Sequence, residues 1–104
     1  MSDIHVTEAE SVILETLWRC GPLSPPRLMA EVAAARPWGS ATIKTLLGRL
    51  MQKKAVRSAR GADGVRYHPA ISRDAYVESE VRDLVARLFD GDDAKLAEFL
   101  ERQR

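Results

Sequence analysis

The segment WGSATIKTLLGRLMQKK, which runs from Trp38 to Lys54, contains basic and polar side chains but no acid. At helical spacing its apolar residues share one face, which we predict to be core: Ile43, Leu46, Leu47, Leu50 and Met51. The opposite surface carries Thr42, Lys44, Thr45, Arg49, Gln52 and Lys53. Because an ordinary solvent-exposed face mixes both signs of charge, this face indicates a polyanionic ligand such as nucleic acid.

The charge of the chain is distributed unevenly. Between Arg36 and His68, eight basic residues stand against Asp63 alone, although the whole chain has a formal net charge of only +1. The remainder is therefore acidic, and the basic residues form one segment. Chance clustering is the alternative explanation, but the acid-free helix face inside the segment favours a functional one.

Length and composition limit the classes of protein to consider. The 104 residues suffice for one domain with a small appendage, and not for a large catalytic cleft. The N-terminus has neither the basic nor the apolar part of a leader, and no run approaches the ~20 apolar residues needed to cross a bilayer. The single cysteine cannot form an internal disulfide. We therefore expect a cytoplasmic protein without membrane insertion.

Catalytic and metal chemistry have little support in the sequence. His5, His68 and Cys20 do not have a standard zinc spacing, and we interpret Cys20 as an inert thiol. GADG matches the GXXG of RNA-binding KH domains, but its strand-like flanks favour a hairpin turn. We interpret three acids as a solvated face, not as catalytic carboxylates: Glu78, Glu80 and Asp83. We predict no enzymatic activity, no cofactor and no metal site.

Two helices are predicted before the basic segment. TEAE places Thr7 three residues before Glu10, which is a capping box, and Gly21 is a natural end for this first helix. Leu23 follows as a strand of one or two residues. The second helix has Ser24 as its N-cap. Its predicted core residues are Leu28, Met29 and Val32.

The basic segment itself is the third predicted helix. With Gly39 as N-cap, Trp38 and Ile43 hold the two positions of a hydrophobic staple. In AVRSARGADGVRYHP, apolar and charged residues alternate on both sides of GADG, which predicts an antiparallel hairpin ending at Pro69. The order helix, helix, helix, hairpin is that of a winged helix-turn-helix. The predicted fold class is thus mainly α with a small β-hairpin.

The C-terminal part has two apolar stripes. The first follows the 4-3-4 spacing of helices that pack on one another: Val77, Val81, Leu84 and Leu88. The second lies beyond DGDD: Leu96, Phe99 and Leu100. Such a helix pair is too small to bury these residues alone. It either docks on the first domain or meets its copy in a second chain, and we favour the copy. We assign residues 1–70 to a DNA-binding domain and 71–104 to a helical dimerisation region.

Double-stranded DNA is the expected polyanion. The N-terminal half of one helix fits the major groove and contacts base edges there. The residues expected in the groove are Ser40, Thr42, Lys44 and Thr45. Those expected on phosphates are Arg49, Lys53, Arg60 and Arg66. Besides its place in the staple, Trp38 is a candidate contact to the DNA backbone.

Several motifs resemble those of one family. VTEAE with LETLW is similar to its first helix, and GPLSPPRL to the start of its second. WGSATIKTLLGRLMQKKAV closely resembles its recognition helix, RYHPAISRDAY its second wing strand and dimerisation helix, and LFDG with LAEFLE its C-terminal region. The chain thus resembles the penicillinase-repressor family of bacterial transcription factors, of the BlaI/MecI type.

The resemblance implies a homodimeric repressor on a palindromic operator, controlling antibiotic-resistance genes of the β-lactamase type or related stress genes. In resistance members a membrane sensor peptidase indirectly triggers cleavage between Asn and Phe. The corresponding bond is Glu98–Phe99, where only the phenylalanine matches. The cysteine cluster of copper-responsive relatives is absent from the sequence, so metal sensing of that kind is not expected.

Three positions depart from the family pattern. Gly39 stands where a serine cap is usual. Ala55 replaces a glycine that ends the recognition helix, which predicts a strained or differently shaped junction. Arg27 occupies the place of a capping glutamate, where a cation opposes the helix dipole, so we expect it to contact a phosphate.

A second hypothesis belongs to another class of function. A winged-helix interaction module could use the same basic face to dock an acidic protein. Binding to duplex DNA as a function of salt distinguishes the two hypotheses.

Overall fold

The computed structural model describes residues 4–104. Five helices and one hairpin follow in the order α1 (Glu8–Cys20), α2 (Pro25–Ala35), α3 (Ser40–Gln52), β1 (Val56–Gly61), β2 (Gly64–Pro69), α4 (Arg73–Leu88) and α5 (Asp93–Arg102). The chain divides into two compact units, with the division between Arg73 and Asp74. No helix within residues 4–104 has the length and apolar character required to span a bilayer.

The predicted capping box at the start of α1 is confirmed. The Glu10 N–H donates to Thr7 Oγ1 at 3.1 Å, and the Thr7 N–H donates to Glu10 Oε1 at 3.0 Å. These two bonds satisfy backbone donors that the first turn of a helix leaves free. The helix ends at Gly21, whose φ of 82° is readily adopted only by glycine.

Ser24 and Gly39 are the N-caps of α2 and α3, as predicted, although the Ser24 side chain makes no capping bond. In α2, Leu28 and Val32 are buried as predicted, whereas Met29 is only half-buried. α3 buries Ile43, Leu46, Leu47 and Leu50. The prediction of Met51 as a core residue is wrong. It lies at the edge of the apolar stripe and is 38% exposed.

The predicted hairpin is confirmed, with Val56 opposite Pro69 and Gly61 opposite Gly64. Residues 62 and 63 form the turn, and Gly64 follows with a φ of 100°. The short strand expected at Leu23 is present as a bridge: the Tyr67 N–H donates to the Leu23 carbonyl at 2.8 Å. This bridge holds the hairpin to the segment between α1 and α2.

The end of α3 differs from the expectation for Ala55. The left-handed residue is Lys54, with a φ of 65°, and Ala55 follows it fully buried. The Lys54 N–H donates to the Met51 carbonyl at 3.0 Å and the Ala55 N–H to the Leu50 carbonyl at 2.9 Å, which together form a Schellman motif. The helix therefore ends as it would with glycine, but a lysine occupies the left-handed position.

The first unit has its core between α1, α2, α3 and the first strand. Its fully buried large apolar side chains are Ile13, Leu14, Leu17, Leu28, Val32, Ile43 and Leu50. Trp18 is half-buried at the margin, where its indole N–H donates to the Ile71 carbonyl at 3.0 Å. An ion pair between Arg73 and Glu15, at 3.0 Å, also fixes the chain beyond the hairpin.

The second unit, Asp74–Arg104, has little apolar burial of its own. Val85 is its buried side chain, and the Phe89 and Phe99 rings lie 5.9 Å apart. Asp92 is the N-cap of α5, and its carboxylate accepts the Ala94 N–H at 2.9 Å. The residues of the two predicted stripes remain accessible: Val77, Val81, Leu88, Phe99 and Leu100 are exposed, and Leu84 and Leu96 are half-buried.

Candidate nucleic-acid interface

The exposed face of α3 is centred on four small or polar residues. Successive residues of a helix turn by about 100°, so the side directly opposite the buried residues is formed by Ala41, Thr45, Gly48 and Gln52. Ser40 and Lys44 lie on one flank of this side, and Thr42 and Arg49 on the other. Small residues at the centre with longer cations at the flanks allow a large partner to approach the helix backbone closely.

A shallow depression of about 330 Å³ lies beside this centre. It is lined by Ala41, Thr42, Thr45, Leu46 and Arg49. Methyl groups, hydroxyls and one guanidinium therefore share a small area. This combination suits a base edge, which presents hydrogen-bonding atoms and, in thymine, a methyl group.

Thr45 is held in a defined orientation by the helix itself. Its hydroxyl donates to the Ala41 carbonyl at 3.0 Å. Since that bond uses the hydroxyl proton, the groups left for a ligand are the oxygen lone pairs and the methyl group. Thr45 can therefore accept a hydrogen bond from an amino group or contact an apolar group.

In the described part of the chain, no neighbouring atom requires glycine rather than a larger residue at Gly48. It lies in the interior of α3 without a left-handed φ, and a Cβ added there would meet no atom within 4 Å. Glycine in a helix interior is less stable than alanine by about 0.5–1 kcal/mol. The absence of a side chain thus lowers helix stability while leaving open the centre of the exposed face.

The hairpin presents cations on both of its faces. Cross-strand partners share a face and neighbours along a strand alternate, so Arg60 and Arg66 lie on opposite faces, both exposed. Arg57, which was not among the predicted contacts, is also exposed, on the face of Arg66 and opposite His68. The alternation of residues along the two strands puts Arg57 and Arg66 on the same face, and this could have identified Arg57 from the sequence. Arg66 also lies 3.9 Å from Asp63, a weak exposed pair.

Lys53 has an internal partner that its position on α3 did not reveal. Its ammonium lies 2.6 Å from Glu10 Oε1 and 2.9 Å from the His5 carbonyl oxygen. Burial raises the pKa of the Glu10 carboxyl, but hydrogen bonds from Lys53 and Thr7, with the charge of Lys53, hold the pKa below its usual value. The expected contact of Lys53 with a phosphate remains a prediction. The exposed side of α3 is complete without it.

Arg27 and Trp38 lie outside the exposed face of α3. Arg27 is exposed in the first turn of α2, with its guanidinium 3.7 Å from Glu31 in an i,i+4 pair. Trp38 directly precedes the cap of α3 and is half-buried, and its backbone N–H donates to the Arg36 carbonyl at 2.8 Å. Their expected contacts to DNA stay predictions.

The bond that corresponds to the cleavage site of the resistance members, Glu98–Phe99, lies inside α5. Glu98 pairs with Arg102 at 3.1 Å, one turn further along the helix. Among residues 4–104, no group of three or more His, Cys, Asp or Glu side chains is arranged to hold a metal ion.

The three helices of the first unit, with a hairpin bonded to the segment between the first two, define a winged helix-turn-helix protein. The chain belongs to the penicillinase repressor family, since the model of that family matches residues 6–104. It is 23% identical over 87 residues to the penicillinase repressor of Bacillus licheniformis, and 24% identical over 84 residues to an uncharacterized 16.5 kDa protein from the ptsI 3′ region of Latilactobacillus sakei. The matches span 68% and 58% of the length of those two relatives and 84% and 81% of this chain.

Two solved structures share the fold. One is the monomeric form of Bacillus licheniformis BlaI in complex with the blaP half-operator, with a TM-score of 0.65. The other is the DNA-binding domain of the repressor BlaI, with a TM-score of 0.63. Each is 25% identical to this chain, and each match covers 73% of this chain and 94% of the solved one. Because this is a family of DNA-binding regulators, the expectation that the chain is not an enzyme is confirmed.

Proposed function

We propose that the chain is a cytoplasmic transcriptional repressor that binds a palindromic operator in double-stranded DNA as a homodimer. The observation that carries the proposal is the exposed face of α3, which is free of acids, small at its centre and flanked by cations. The BlaI structure bound to a half-operator has the same fold, which supports DNA as the partner.

In this proposal the exposed side of α3 lies in the major groove. Thr45 accepts a hydrogen bond from a cytosine or adenine amino group, or places its methyl group against that of thymine. Lys44, on the flank, donates to guanine acceptors, while Ser40 and Thr42 lie in the first turn of the helix. These residues supply the sequence preference.

Phosphate contacts come from the remaining exposed cations. Arg49 lies on the flank of α3, and Arg57, Arg60 and Arg66 lie on the hairpin. Since Arg60 and Arg66 point to opposite faces, the hairpin can bind with one face against the backbone and contribute one or two cations. Each neutralised phosphate contributes about −0.9 to the slope of log affinity against log salt.

Dimerisation uses the accessible stripes of α4 and α5. Val81 is 44% exposed and Leu88 is 60% exposed, and Phe99 remains 40% exposed even though its ring contacts Phe89 within the unit. A second copy can cover these residues by a twofold arrangement, which places two α3 helices on one side of the duplex. One half-site contact alone is too weak to compete with bulk DNA.

Control of resistance or stress genes, with inactivation at Glu98–Phe99, completes the proposal. Cleavage there would cut α5 between Glu98 and the apolar pair Phe99 and Leu100, and so divide the dimerisation stripe. Because a protease needs extended backbone, α5 must first open locally. A membrane sensor peptidase would act indirectly, by making this opening or this cleavage occur.

The proposal is tested with duplexes that the wild-type protein selects from a random library. Thr45→Ala is expected to weaken binding to the selected duplex by about 1–3 kcal/mol and to a scrambled duplex much less. Arg49→Ala is expected to weaken both similarly and to reduce the salt slope by about one unit. Equal losses for Thr45→Ala on both duplexes would show that α3 does not read sequence. A wild-type protein that selects no sequence, yet retains an acidic protein partner, would favour the interaction module.

A further inference from the structure

One buried ion pair connects the end of α3 to the start of α1. Glu10 is 1% exposed, and its Oε1 accepts both the Thr7 N–H at 3.0 Å and the Lys53 ammonium at 2.6 Å. The same ammonium donates to the His5 carbonyl at 2.9 Å. Lys53 therefore joins three parts of the chain: the segment before α1, the capping box, and the last turn of α3.

The pair acts where α3 ends. Lys53 is the C-cap residue of α3, and its backbone N–H still donates to the Arg49 carbonyl at 2.9 Å. Apolar packing through Leu50 and its neighbours resists separation of α3 from α1, but such contacts are non-directional. Two hydrogen bonds from one ammonium fix direction as well, and so limit rotation and sliding of α3 at this end.

The geometry favours internal contacts of Lys53 over a contact with a DNA phosphate. An ammonium has three donors, of which Glu10 and His5 use two. Turning the side chain to a phosphate would leave the Glu10 carboxylate buried without its cation, which is strongly unfavourable. The Lys53 side chain is also only about one-third exposed.

We propose that Glu10 and Lys53 form a positioning pair that sets α3 for base contacts, with Lys53 acting through Glu10 and not on the DNA. This inference rests on the proposed function. It assigns to Glu10, a residue of a different helix, an effect on sequence discrimination.

The sign of the Glu10→Gln effect is the sharpest consequence. Removing a negative charge from a DNA-binding protein ordinarily strengthens binding to every duplex. A positioning role predicts the reverse on the preferred sequence. Glutamine keeps an oxygen for the Thr7 N–H, so the capping bond survives, whereas the negative charge that holds the Lys53 ammonium at this place is removed.

The experiment uses the full chain and two duplexes of equal length, one selected by the wild type from a random library and one scrambled. The variants are Glu10→Gln, Lys53→Met, the double variant, and Lys53→Arg as the conservative replacement. Glu8→Gln is the matched control, because it removes the same charge from an exposed position in the same turn. Affinity is measured against salt, and circular dichroism reports folding at the same temperature.

Each single variant is expected to lose about tenfold on the selected duplex, the size of one displaced base contact, and less than about twofold on the scrambled duplex. The double variant should lose no more than either single one, because both remove the same interaction. Lys53→Met should leave the salt slope unchanged, Lys53→Arg should recover part of the preference, and Glu8→Gln should bind as tightly as wild type or more so.

Three results would overturn the inference. In the first, Glu10→Gln binds the selected duplex more tightly than wild type, as Glu8→Gln does. In the second, Lys53→Met loses affinity equally for both duplexes, and its salt slope is smaller by about one unit. The third is a wild type that selects no sequence, which also removes the proposed function, whereas the first two leave that function standing. If Lys53→Met does not fold, because Glu10 is then buried without its cation, the contrast between Glu10→Gln and Glu8→Gln on the two duplexes decides, since neither variant leaves a buried unpaired carboxylate and partial unfolding lowers binding to both duplexes alike.

Discussion

Replacement of Gly48 by alanine is expected to stabilise the protein and to weaken its binding to DNA. A Cβ at this position meets no atom within 4 Å, so the free protein accepts it without strain. The helix propensities of alanine and glycine differ by about 0.8–1.0 kcal/mol. For a unit of 60–100 residues this corresponds to a rise in Tm of roughly 4–8 °C, measurable by thermal unfolding.

The effect on binding has the opposite sign because Gly48 lies at the centre of the exposed side of α3. A methyl group inserted into a close contact costs about 1–3 kcal/mol, or roughly a five- to 150-fold loss of affinity for the selected duplex. Gly48→Leu provides the matched comparison. Leucine and alanine have similar helix propensity, so both variants should show similar stability, while the larger side chain should bind DNA much more weakly.

Two outcomes would refute this reasoning. A Gly48→Ala protein that is no more stable than wild type would show that the glycine meets a requirement of the fold. A Gly48→Leu protein with wild-type affinity would show that the centre of this face does not approach DNA, and would move the interface elsewhere. Circular dichroism and fluorescence anisotropy on the same samples measure the two quantities independently.

Three further predictions concern the rest of the chain. Leu84→Asp should give a monomer by sedimentation and lose operator binding while the first unit keeps its thermal transition; a variant that still dimerises would exclude the α4 stripe. Lys54→Gly should raise the free energy of unfolding by about 1 kcal/mol, since glycine adopts the left-handed φ of 65° without penalty; an unchanged value would mean that the lysine side chain offsets the strain. The pKa of Glu10 is lowered in the folded state, so its stabilisation is present above the unfolded value of about 4.3 and is lost as pH falls through the lowered pKa. Acid unfolding of Glu10→Gln should therefore depend less on pH below about 4.3, and parallel curves would contradict this.

Local signals predicted most of the fold. The capping box at Thr7 and Glu10 and the antiparallel hairpin around GADG are each specified by residues close in sequence, and both are confirmed. The backbone conformation at the end of α3 was harder to predict from the sequence, because the strain predicted for Ala55 falls on Lys54, one residue earlier. In the second unit, the buried residue is Val85, which does not belong to the apolar stripe predicted for α4.

In the candidate interface too, features set by local sequence pattern were predictable, and contacts between distant residues were not. The acid-free face of α3 follows from helical periodicity, so sequence was sufficient to find it. The partner of Lys53 was not accessible in this way, because 43 residues separate it from Glu10 and no local pattern joins a helix end to a capping box. The back-bond from Thr45 to Ala41, which removes a donor from the face, also depends on a rotamer that sequence does not specify.

Two residues, one inside α3 and one just beyond its C-terminal cap, lower the stability of this part of the chain, and both support the same functional assignment. Gly48 weakens the helix interior although a Cβ there would meet no atom within 4 Å, and Lys54 holds a positive φ of 65°, a region of backbone conformation that favours glycine. The first change removes bulk from the centre of the exposed face, and the second adds a positive charge at its end. Local choices that oppose stability are expected where function imposes a second requirement. A helix that served only the fold would gain from replacing both residues, whereas a helix that binds a polyanion closely has a use for each.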